Sequence, residues 1–194
     1  MAVFGLTGSL ASGKTEVLGL LKRKKAIIFN ADACVHKYYK DKNGSVYKAV
    51  AKKFPQCLSK GNICRKKLGK IVFFDRRKLG VLEKIVHPKV AGDLLAWVGQ
   101  AKRKKGVYIA EVALLFEKRL QKHFDATILV KVKRDILIKR IIKKYKFSKS
   151  EARRRLSLYK PVREKIKGAD YIIENDKDFI NLKKEVDLLW KKIK

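Results

Sequence analysis

Short apolar runs alternate with segments of helical periodicity along this chain. The runs Val3–Leu6, Ala26–Phe29, Gly106–Ala110, Ala126–Val132 and Tyr171–Ile173 are each short enough to form a buried strand. Segments with apolar residues at helical spacing separate them. Because strands that alternate with helices pair in parallel through right-handed crossovers, the pattern predicts an α/β fold with a central parallel sheet of about five strands flanked by helices.

Helices account for most of the remaining chain. They are predicted from Lys14 to about Lys24, over most of a lysine-rich region from about Cys34 to Lys105, from Arg134 to about Tyr145, from Ser148 to Tyr159, and at the C-terminus to near Trp190. Ser148 and Glu151 have the spacing of a capping box. His87-Pro88 predicts a break in the long helical region, because the residue before proline is pushed out of the helical conformation.

Composition narrows the class of protein. Apolar residues form 46% of the 194 positions, which is enough for the core of one domain with a small insertion. No apolar stretch approaches the roughly 18–20 residues that cross a bilayer, and no signal peptide is visible at the N-terminus. Three cysteines without a C-x-x-C pair favour reduced thiols over a zinc site. We therefore expect a cytoplasmic protein with no membrane partner.

The net charge of +32 is the least ordinary bulk property. A charge of this sign and size is typical of nucleic-acid-binding proteins, whose cations neutralise phosphates. Here the basic residues are spread from Lys14 to Lys194, and lysine outnumbers arginine about three to one, whereas base and phosphate recognition favours arginine. We therefore expect a solvated lysine-rich surface, with nucleic-acid binding as the open alternative.

A phosphate-binding motif lies between the first strand and the first helix. The segment Gly-Ser-Leu-Ala-Ser-Gly-Lys-Thr, from Gly8 to Thr15, fits G-x-x-x-x-G-K-[ST] in the required strand-to-helix context. Its glycines let backbone N–H groups converge on phosphate oxygens at the positive end of a helix dipole. Lys14 can reach the β- and γ-phosphates, and the Thr15 hydroxyl can bind Mg²⁺. The motif predicts ATP as the phosphoryl donor. The chain lacks the N-K-x-D segment with which GTPases read guanine, and it is short for a larger ATPase, so a small-molecule kinase is favoured.

Six segments resemble the dephospho-CoA kinase family in the right order, and the resemblance runs almost end to end. They are Gly5–Thr15, Phe29–Asp32, Arg65–Phe73, Leu82–Pro88, Glu111–Glu117 and Ala169–Asn175. The resemblance implies a P-loop kinase fold. It also implies ATP-dependent phosphorylation of the ribose 3′-hydroxyl of dephospho-CoA, with Mg²⁺, in the last step of coenzyme A synthesis.

The resemblance also divides the chain into parts. They are a core of residues 1–33, 106–135 and 168–194, a helical acceptor-binding insertion at about 34–105, and a lid at about 136–167. The substrates would be ATP and dephospho-CoA. The protein would act as a monomer or a small homo-oligomer.

The same resemblance implies roles for individual residues. Asp32, after the second strand, would take the proton of the attacking hydroxyl, although aspartate there is also an ordinary helix cap. Arg140, on the helix after the fourth strand, would join Lys14 in neutralising the transferred phosphoryl group. Contacts with ATP are expected from Gly8, Ala11, Ser12, Gly13, Lys14, Thr15, Glu16 and Asn175, with Thr15 also holding Mg²⁺. The acceptor would be bound by Arg65, His87 and Leu114.

Several positions depart from the family pattern. Ser9 and Ala11 stand where the family usually has glycine, so a stiffer loop is expected. Asn30 stands in the place of a second acid and cannot add negative charge near Mg²⁺. Ala113 replaces a proline, and Tyr159 replaces a glutamine. These departures bear on turnover and nucleotide preference rather than on the type of reaction.

Three other functions stay open at this point. One is a nucleoside or nucleotide kinase of the same fold, which a panel of acceptors would separate. Another is a basic P-loop ATPase stimulated by DNA or RNA, although the chain has no helicase-like second lobe. The third is a binding protein without transfer activity, because Asn30 and Ala11 alter the site.

Overall fold

The computed structural model describes residues 2–194. The strands are β1 (Ala2–Gly8), β2 (Ile27–Asn30), β3 (Leu58–Ser59), β4 (Asn62–Ile63), β5 (Val107–Glu111), β6 (Ala126–Lys131) and β7 (Tyr171–Glu174). The α-helices are α1 (Lys14–Arg23), α2 (Ala31–Lys40), α3 (Ser45–Lys53), α4 (Arg65–Val72), α5 (Arg76–Ala101), α6 (Arg134–Tyr145), α7 (Lys149–Leu156), α8 (Val162–Lys167) and α9 (Phe179–Ile193). Short 3₁₀ turns lie at Pro55–Cys57 and Leu120–His123.

Five strands form one sheet in the order β2-β5-β1-β6-β7. Every neighbouring pair is parallel, and Gly5 of β1 lies opposite Ala110 of β5 and Thr127 of β6. The predicted α/β fold with five parallel strands is therefore confirmed. Ligands of open parallel sheets bind outside the carboxyl ends of the strands, where the strand order reverses. In this sheet that place is the end of β1.

One hydrophobic core covers a face of the sheet. Buried residues of β1, β5, β6 and β7 pack against apolar side chains of α1 and α9. The helical members are Val17, Leu18, Leu20, Leu21, Leu182, Val186, Leu189 and Ile193. They recur at the spacing of one helix face, which is why these two segments fold as helices against the sheet. The packing fixes the position at which α1 begins.

The chain forms two compact units, and residues 31–96 make up the second. This unit contains α2, α3, the β3–β4 hairpin, α4 and most of α5. Its core consists of Val46, Val50, Phe54, Cys57, Ile63, Leu68, Val72 and Val86. Tyr38 on α2 donates a hydrogen bond to Asp93 on α5, which lowers the pKa of the Asp93 carboxyl. The second unit therefore has a core and polar contacts of its own.

The predicted break at His87-Pro88 is wrong, because α5 continues through both residues as one helix. Proline in a helix removes one N–H donor and crowds the carbonyl four residues earlier, which kinks many helices. Pro88 itself is exposed, whereas Val86 and Leu94 on either side of it are buried. We attribute the continuity of α5 to this packing on both sides of the proline.

The other predicted elements are found, with ends that differ by a few residues. Ser148 caps α7 by accepting a hydrogen bond from the backbone N–H of Glu151 at 3.1 Å, as the capping-box spacing predicts. The helix ends at Leu156 instead of Tyr159. The sequence did not predict the short β3–β4 hairpin or α8. No helix in residues 2–194 combines the length and the apolar character needed to cross a bilayer.

Candidate active site

The loop from β1 to α1 is closed by a contact between Gly13 and Asn175. Gly13 has a φ of 92°, a left-handed conformation that suits glycine. The side-chain amide of Asn175 donates to the carbonyl of Ser12 at 2.8 Å. A Cβ on Gly13 would lie 2.1 Å from the Asn175 Nδ2 atom, so only glycine fits. The glycine of the motif is therefore required by its backbone angle and by its neighbour.

Ser12 is buried inside this loop. Its Oγ atom has no hydrogen-bond partner among residues 2–194, and a Cβ on Gly8 would lie 2.5 Å from it. Buried hydroxyls are usually hydrogen-bonded, because an unmade hydrogen bond leaves the cost of desolvation uncompensated. A loop that holds a buried polar hydroxyl and cannot admit a larger residue at Gly8 fits a phosphate group as ligand.

Ala11 adopts a φ of 60°, which is also left-handed. For a residue with a Cβ this conformation costs about 1–2 kcal/mol. Glycine would adopt this backbone conformation at position 11 without that cost. The expectation of a stiffer loop stays a prediction, and it rests on alanine having fewer alternative backbone conformations than glycine.

Lys14 is folded over the loop. Its Nζ atom donates to the carbonyls of Gly8 at 3.0 Å and Ser9 at 3.2 Å. Because α1 begins at Lys14, its first N–H groups and its positive dipole end face the same place. Thr15 in the first turn is exposed. The ammonium, the helix end and the loop together form an anion-binding arrangement of the kind that the motif predicts.

A cavity of about 530 Å³ lies beside the loop. Its lining includes Ala11, Gly13, Glu16, Arg140, Lys143, Lys144, Asn175, Lys177 and Phe179. Arg140 reaches across from α6, and its Nη2 atom lies 3.5 Å from the carbonyl of Lys177. A volume of this order suits a small organic ligand. Four basic residues exceed the two acidic ones, Glu16 and Asp178, so the lining is net positive. Together with the Phe179 ring it favours an anionic ligand with a flat apolar part, such as a nucleotide.

Six of the predicted ATP-site residues therefore meet in the first unit. The lining of the cavity includes Ala11, Gly13, Glu16, Arg140 and Asn175, and Lys14 lies over the adjoining loop. Asn175 does more than the sequence predicted, because its amide braces the loop and its backbone N–H donates to the carbonyl of Lys131 at 2.9 Å. Its contact with ATP stays a prediction.

Asn30 and Glu111 meet at the carboxyl ends of β2 and β5. The Asn30 amide donates to Glu111 Oε2 at 2.6 Å, and Glu111 is buried. Burial of a carboxylate is tolerated when hydrogen bonds compensate it, and the amide supplies one. Residues 2–194 contain no group of three or more His, Cys, Asp or Glu side chains that could hold a metal ion.

The remaining predicted residues are distributed over two regions. Asp32 is the second residue of α2 and is exposed, while Arg65 is the first residue of α4. His87 lies on α5 with Nδ1 3.9 Å from Glu83 Oε2. All of these belong to the second unit. Leu114 lies in the loop after β5 and is half-buried.

His36 is a polar residue near these positions that sequence analysis missed. Its Nδ1 atom lies 3.4 Å from Arg65 Nη1. It stands four residues after Asp32 on α2, so both side chains lie on the same side of the helix. That spacing is visible in the sequence and could have identified His36, whereas its contact with Arg65 could not be seen there.

A buried ion pair joins the loop after β5 to α8. Lys165 Nζ lies 2.7 Å from Glu117 Oε1, and the Lys165 side chain is 0% exposed. The same oxygen accepts the backbone N–H of Lys160 at 2.8 Å. The ring of Tyr159 lies 5.2 Å from the ammonium. Glu117 therefore ties the segment that carries Leu114 to the chain that leaves α7.

Comparisons with known proteins identify the family. The sequence model for dephospho-CoA kinase matches residues 2–181. This chain belongs to the dephospho-CoA kinase family. A dephospho-CoA kinase of Aquifex aeolicus is 32% identical over 195 residues, which span 100% of this chain and 98% of that protein.

Solved structures extend this likeness to the fold of the dephospho-CoA kinase family. A dephospho-CoA kinase from Campylobacter jejuni has a TM-score of 0.69 and 26% identity, with 98% of this chain and 96% of that chain covered. A crystal structure from Thermus thermophilus has a TM-score of 0.78 and 26% identity, with coverage of 100% and 98%. The family prediction made from six sequence segments is confirmed, and so is the P-loop kinase fold. The roles of single residues stay predictions.

Proposed function

We propose that this protein transfers the γ-phosphoryl group of ATP to the ribose 3′-hydroxyl of dephospho-CoA, giving coenzyme A and ADP. The observation that carries the proposal is the family match over residues 2–181, together with a phosphate-binding loop of the required geometry. Dephospho-CoA kinases from several organisms match nearly the whole chain. The cytoplasmic location and the oligomeric state remain predictions from the sequence.

The donor would bind to the loop and the adjoining cavity. Backbone N–H groups between Gly8 and Thr15 would surround the phosphates, and the ammonium of Lys14 would turn from the loop carbonyls toward the β- and γ-phosphates. The adenine base of ATP would lie in the 530 Å³ cavity near Asn175. Arg140 would neutralise charge that develops on the transferred group, since a preorganised cation stabilises a phosphoryl transition state.

Thr15 in the first turn of α1 and Glu111 at the end of β5 would suit a magnesium ion of the type found in kinases. Mg²⁺ in such sites uses one or two protein ligands, and phosphates and water complete the octahedron. The exposed Thr15 hydroxyl would hold the ion, and buried Glu111 would lie in the sphere of its water ligands. When bound, the ion neutralises negative charge on the β- and γ-phosphates.

Most of the residues that we propose to bind the acceptor belong to the second unit. Asp32 would accept the proton of the ribose 3′-hydroxyl as this oxygen attacks the γ-phosphorus, and the bond to the leaving ADP oxygen would break. Arg65 would pair with an anionic group of dephospho-CoA, and His87 would contribute a polar contact. Leu114, half-buried after β5, would supply an apolar wall. Residues 136–167 would close as a lid and exclude water.

The assay that tests the proposal measures ADP release with ATP and dephospho-CoA in a coupled reaction. We expect Asp32→Asn to lower kcat about 10²–10⁴-fold without a matching change in either KM, because a general base acts in the transition state. Asp187→Asn on α9 is the matched control and should retain activity, since Asp187 forms a surface pair with Lys24.

Two results would count against the proposal in different ways. Full activity of Asp32→Asn would exclude Asp32 as the base while leaving the reaction intact. Activity with a nucleoside or nucleotide, and none with dephospho-CoA, would exclude the reaction itself. The acceptor panel should therefore include both classes of compound.

A further inference from the structure

Asp32 and His36 form a polar pair on one side of α2. They are four residues apart, so their Cβ atoms are separated by about one helical turn, roughly 5–6 Å. Asp32 is exposed and His36 is half-buried. Any molecule that places a hydroxyl at the Asp32 carboxylate therefore has its neighbouring atoms within reach of His36.

Arg65 determines which nitrogen of His36 can donate a hydrogen bond. Arginine can only donate, so the 3.4 Å contact between Arg65 Nη1 and His36 Nδ1 requires Nδ1 to act as the acceptor. A neutral imidazole with an accepting Nδ1 carries its proton on Nε2. Burial and the Arg65 charge lower the pKa of His36, as does Lys40, while Asp32 raises it. His36 is thereby biased toward the neutral form with an Nε2–H donor.

Arg65 is itself held beside α2. The β3–β4 hairpin leads directly into α4, and the backbone N–H of Cys64 donates to the carbonyl of Cys57 at 2.9 Å across the base of the hairpin. Burial raises the pKa of Tyr39 on α2 to about 12, and the positive charge of Arg65 opposes this rise. The Arg65 guanidinium therefore lies beside His36, and this contact favours the His36 tautomer that carries its proton on Nε2.

We propose that His36 is a second acceptor-binding residue, whose Nε2–H donates a hydrogen bond to the hydroxyl next to the one that Asp32 deprotonates. This inference rests on the proposed function. A ribose offers two adjacent hydroxyls of similar reactivity, and a hydrogen bond to one of them orients the other for phosphorylation. A neutral donor one helical turn from the base suits an uncharged hydroxyl, whereas a phosphate would be better bound by a cation such as Arg65.

The experiment combines variants of His36 with an acceptor analogue that lacks the 2′-hydroxyl. In the complete enzyme we expect His36→Leu to lower kcat/KM for dephospho-CoA about ten-fold, with the KM for ATP unchanged. His36→Gln keeps an amide donor near the position of Nε2 and should stay within about three-fold of the parent enzyme. His123→Leu, outside the second unit, is the matched control and should leave both constants unchanged.

The analogue distinguishes recognition of the hydroxyl from a structural role. The parent enzyme should lose about as much kcat/KM on removal of the 2′-hydroxyl as on the change of His36 to leucine. For His36→Leu the same removal should have little further effect, because the two losses report one interaction. Chromatography should also detect some 2′-phosphorylated product with His36→Leu and none with the parent enzyme.

Several results would overturn the inference. Equal losses for His36→Leu and His36→Gln, or losses that add independently with the analogue, would make His36 structural. Unchanged kinetics in both variants would exclude it from the acceptor site. If His36→Leu fails to fold, His36→Ala, which also lacks the donor and suits a helix, replaces it in the comparison with the parent enzyme on the two acceptors. A parent enzyme inactive on dephospho-CoA would instead refute the proposed function.

Discussion

At the scale of single residues, the tightest constraint in the phosphate loop links positions far apart in the sequence. Gly13 has left-handed backbone angles, and Asn175 Nδ2 occupies the space where a Cβ would stand. That amide also donates to the carbonyl of Ser12. The loop therefore depends on a side chain contributed by the segment after β7 as well as on its own sequence.

This constraint predicts opposite effects for two glycine-to-alanine changes in one part of the chain. Gly13→Ala should destabilise the protein by about 2 kcal/mol or more, because alanine is strained in the left-handed region and would displace Asn175. It should also abolish detectable ATP binding. Gly19→Ala is the matched control, since no atom lies within 4 Å of its added Cβ, and should stabilise α1 by about 0.5–1 kcal/mol.

Urea unfolding and calorimetric titration with ATP measure the two effects. Normal ATP affinity in Gly13→Ala would show that the loop tolerates a Cβ and that the Asn175 contact is dispensable. Loss of stability in both variants would show that α1 rejects alanine for some reason other than the loop geometry.

Local patterns explain which residues of the site could be predicted. The glycines, Lys14 and Thr15 were predictable because each is required by backbone conformation or phosphate chemistry within eight consecutive residues. The Asn175–Ser12 bond was not, because it joins residues that approach only after β6 and β7 pair. The contact between Arg65 and His36 could not be predicted either, because it joins residues of α2 and α4 that are far apart in the sequence.

At the scale of elements, α8 shows how tertiary packing overrides a local pattern. This helix has six residues, and Lys165 in it looks like any other lysine of a lysine-rich chain. In the structure its side chain is fully buried and paired with Glu117. Nothing local in the sequence distinguishes it, because only the folded loop after β5 supplies the partner.

The burial of this pair predicts a large cost when one charge is removed. Lys165→Met should destabilise the protein by about 3–5 kcal/mol, because Glu117, only 12% exposed, would lose its counter-charge. The double variant Lys165→Met with Glu117→Leu should recover part of that loss, since two apolar side chains leave no buried charge. Urea unfolding of the parent, both single variants and the double variant gives the coupling energy.

A surface pair provides the control for this series. Lys24 Nζ and Asp187 Oδ1 lie 2.5 Å apart with side chains 29% and 39% exposed, so Lys24→Met should lower the free energy of unfolding much less than Lys165→Met. If Lys165→Met and Lys24→Met lower the free energy of unfolding by similar amounts, burial does not strengthen the Lys165–Glu117 pair. A double variant less stable than Lys165→Met would contradict the explanation by an unpaired carboxylate.

Element boundaries were predicted less well than element types. Apolar runs predicted all five strands of the parallel sheet. The central strands β1, β5 and β6 are short and continuously apolar because they are buried, and the edge strands β2 and β7 have short apolar runs although they are more exposed. The continuity of α5 through Pro88 was missed because the local preference of the residue before proline is weaker than packing on both sides. The β3–β4 hairpin was missed because two-residue strands carry almost no periodic signal.

At the scale of the whole molecule, the net charge of +32 acts on stability more than on fold. Like charges repel one another most in the compact state, so a strongly basic chain is destabilised by its own surface. Most lysines of the helices α3, α6 and α9 are exposed, as expected for a solvated lysine-rich surface. The expectation that nucleic acid is not a functional partner stays a prediction.

Self-repulsion predicts that salt stabilises this protein. Raising NaCl from about 0.02 to 0.5 M shortens the Debye length several-fold, so repulsion between exposed lysines should weaken. A gain of about 1 kcal/mol would raise Tm by roughly 2–4 °C for a chain of this length. Calorimetry over the series measures the change, and sodium sulfate at equal ionic strength is the control. A rise with sulfate and none with chloride would indicate an effect specific to sulfate, either its exclusion from the protein surface or its binding, and would contradict general repulsion as the cause.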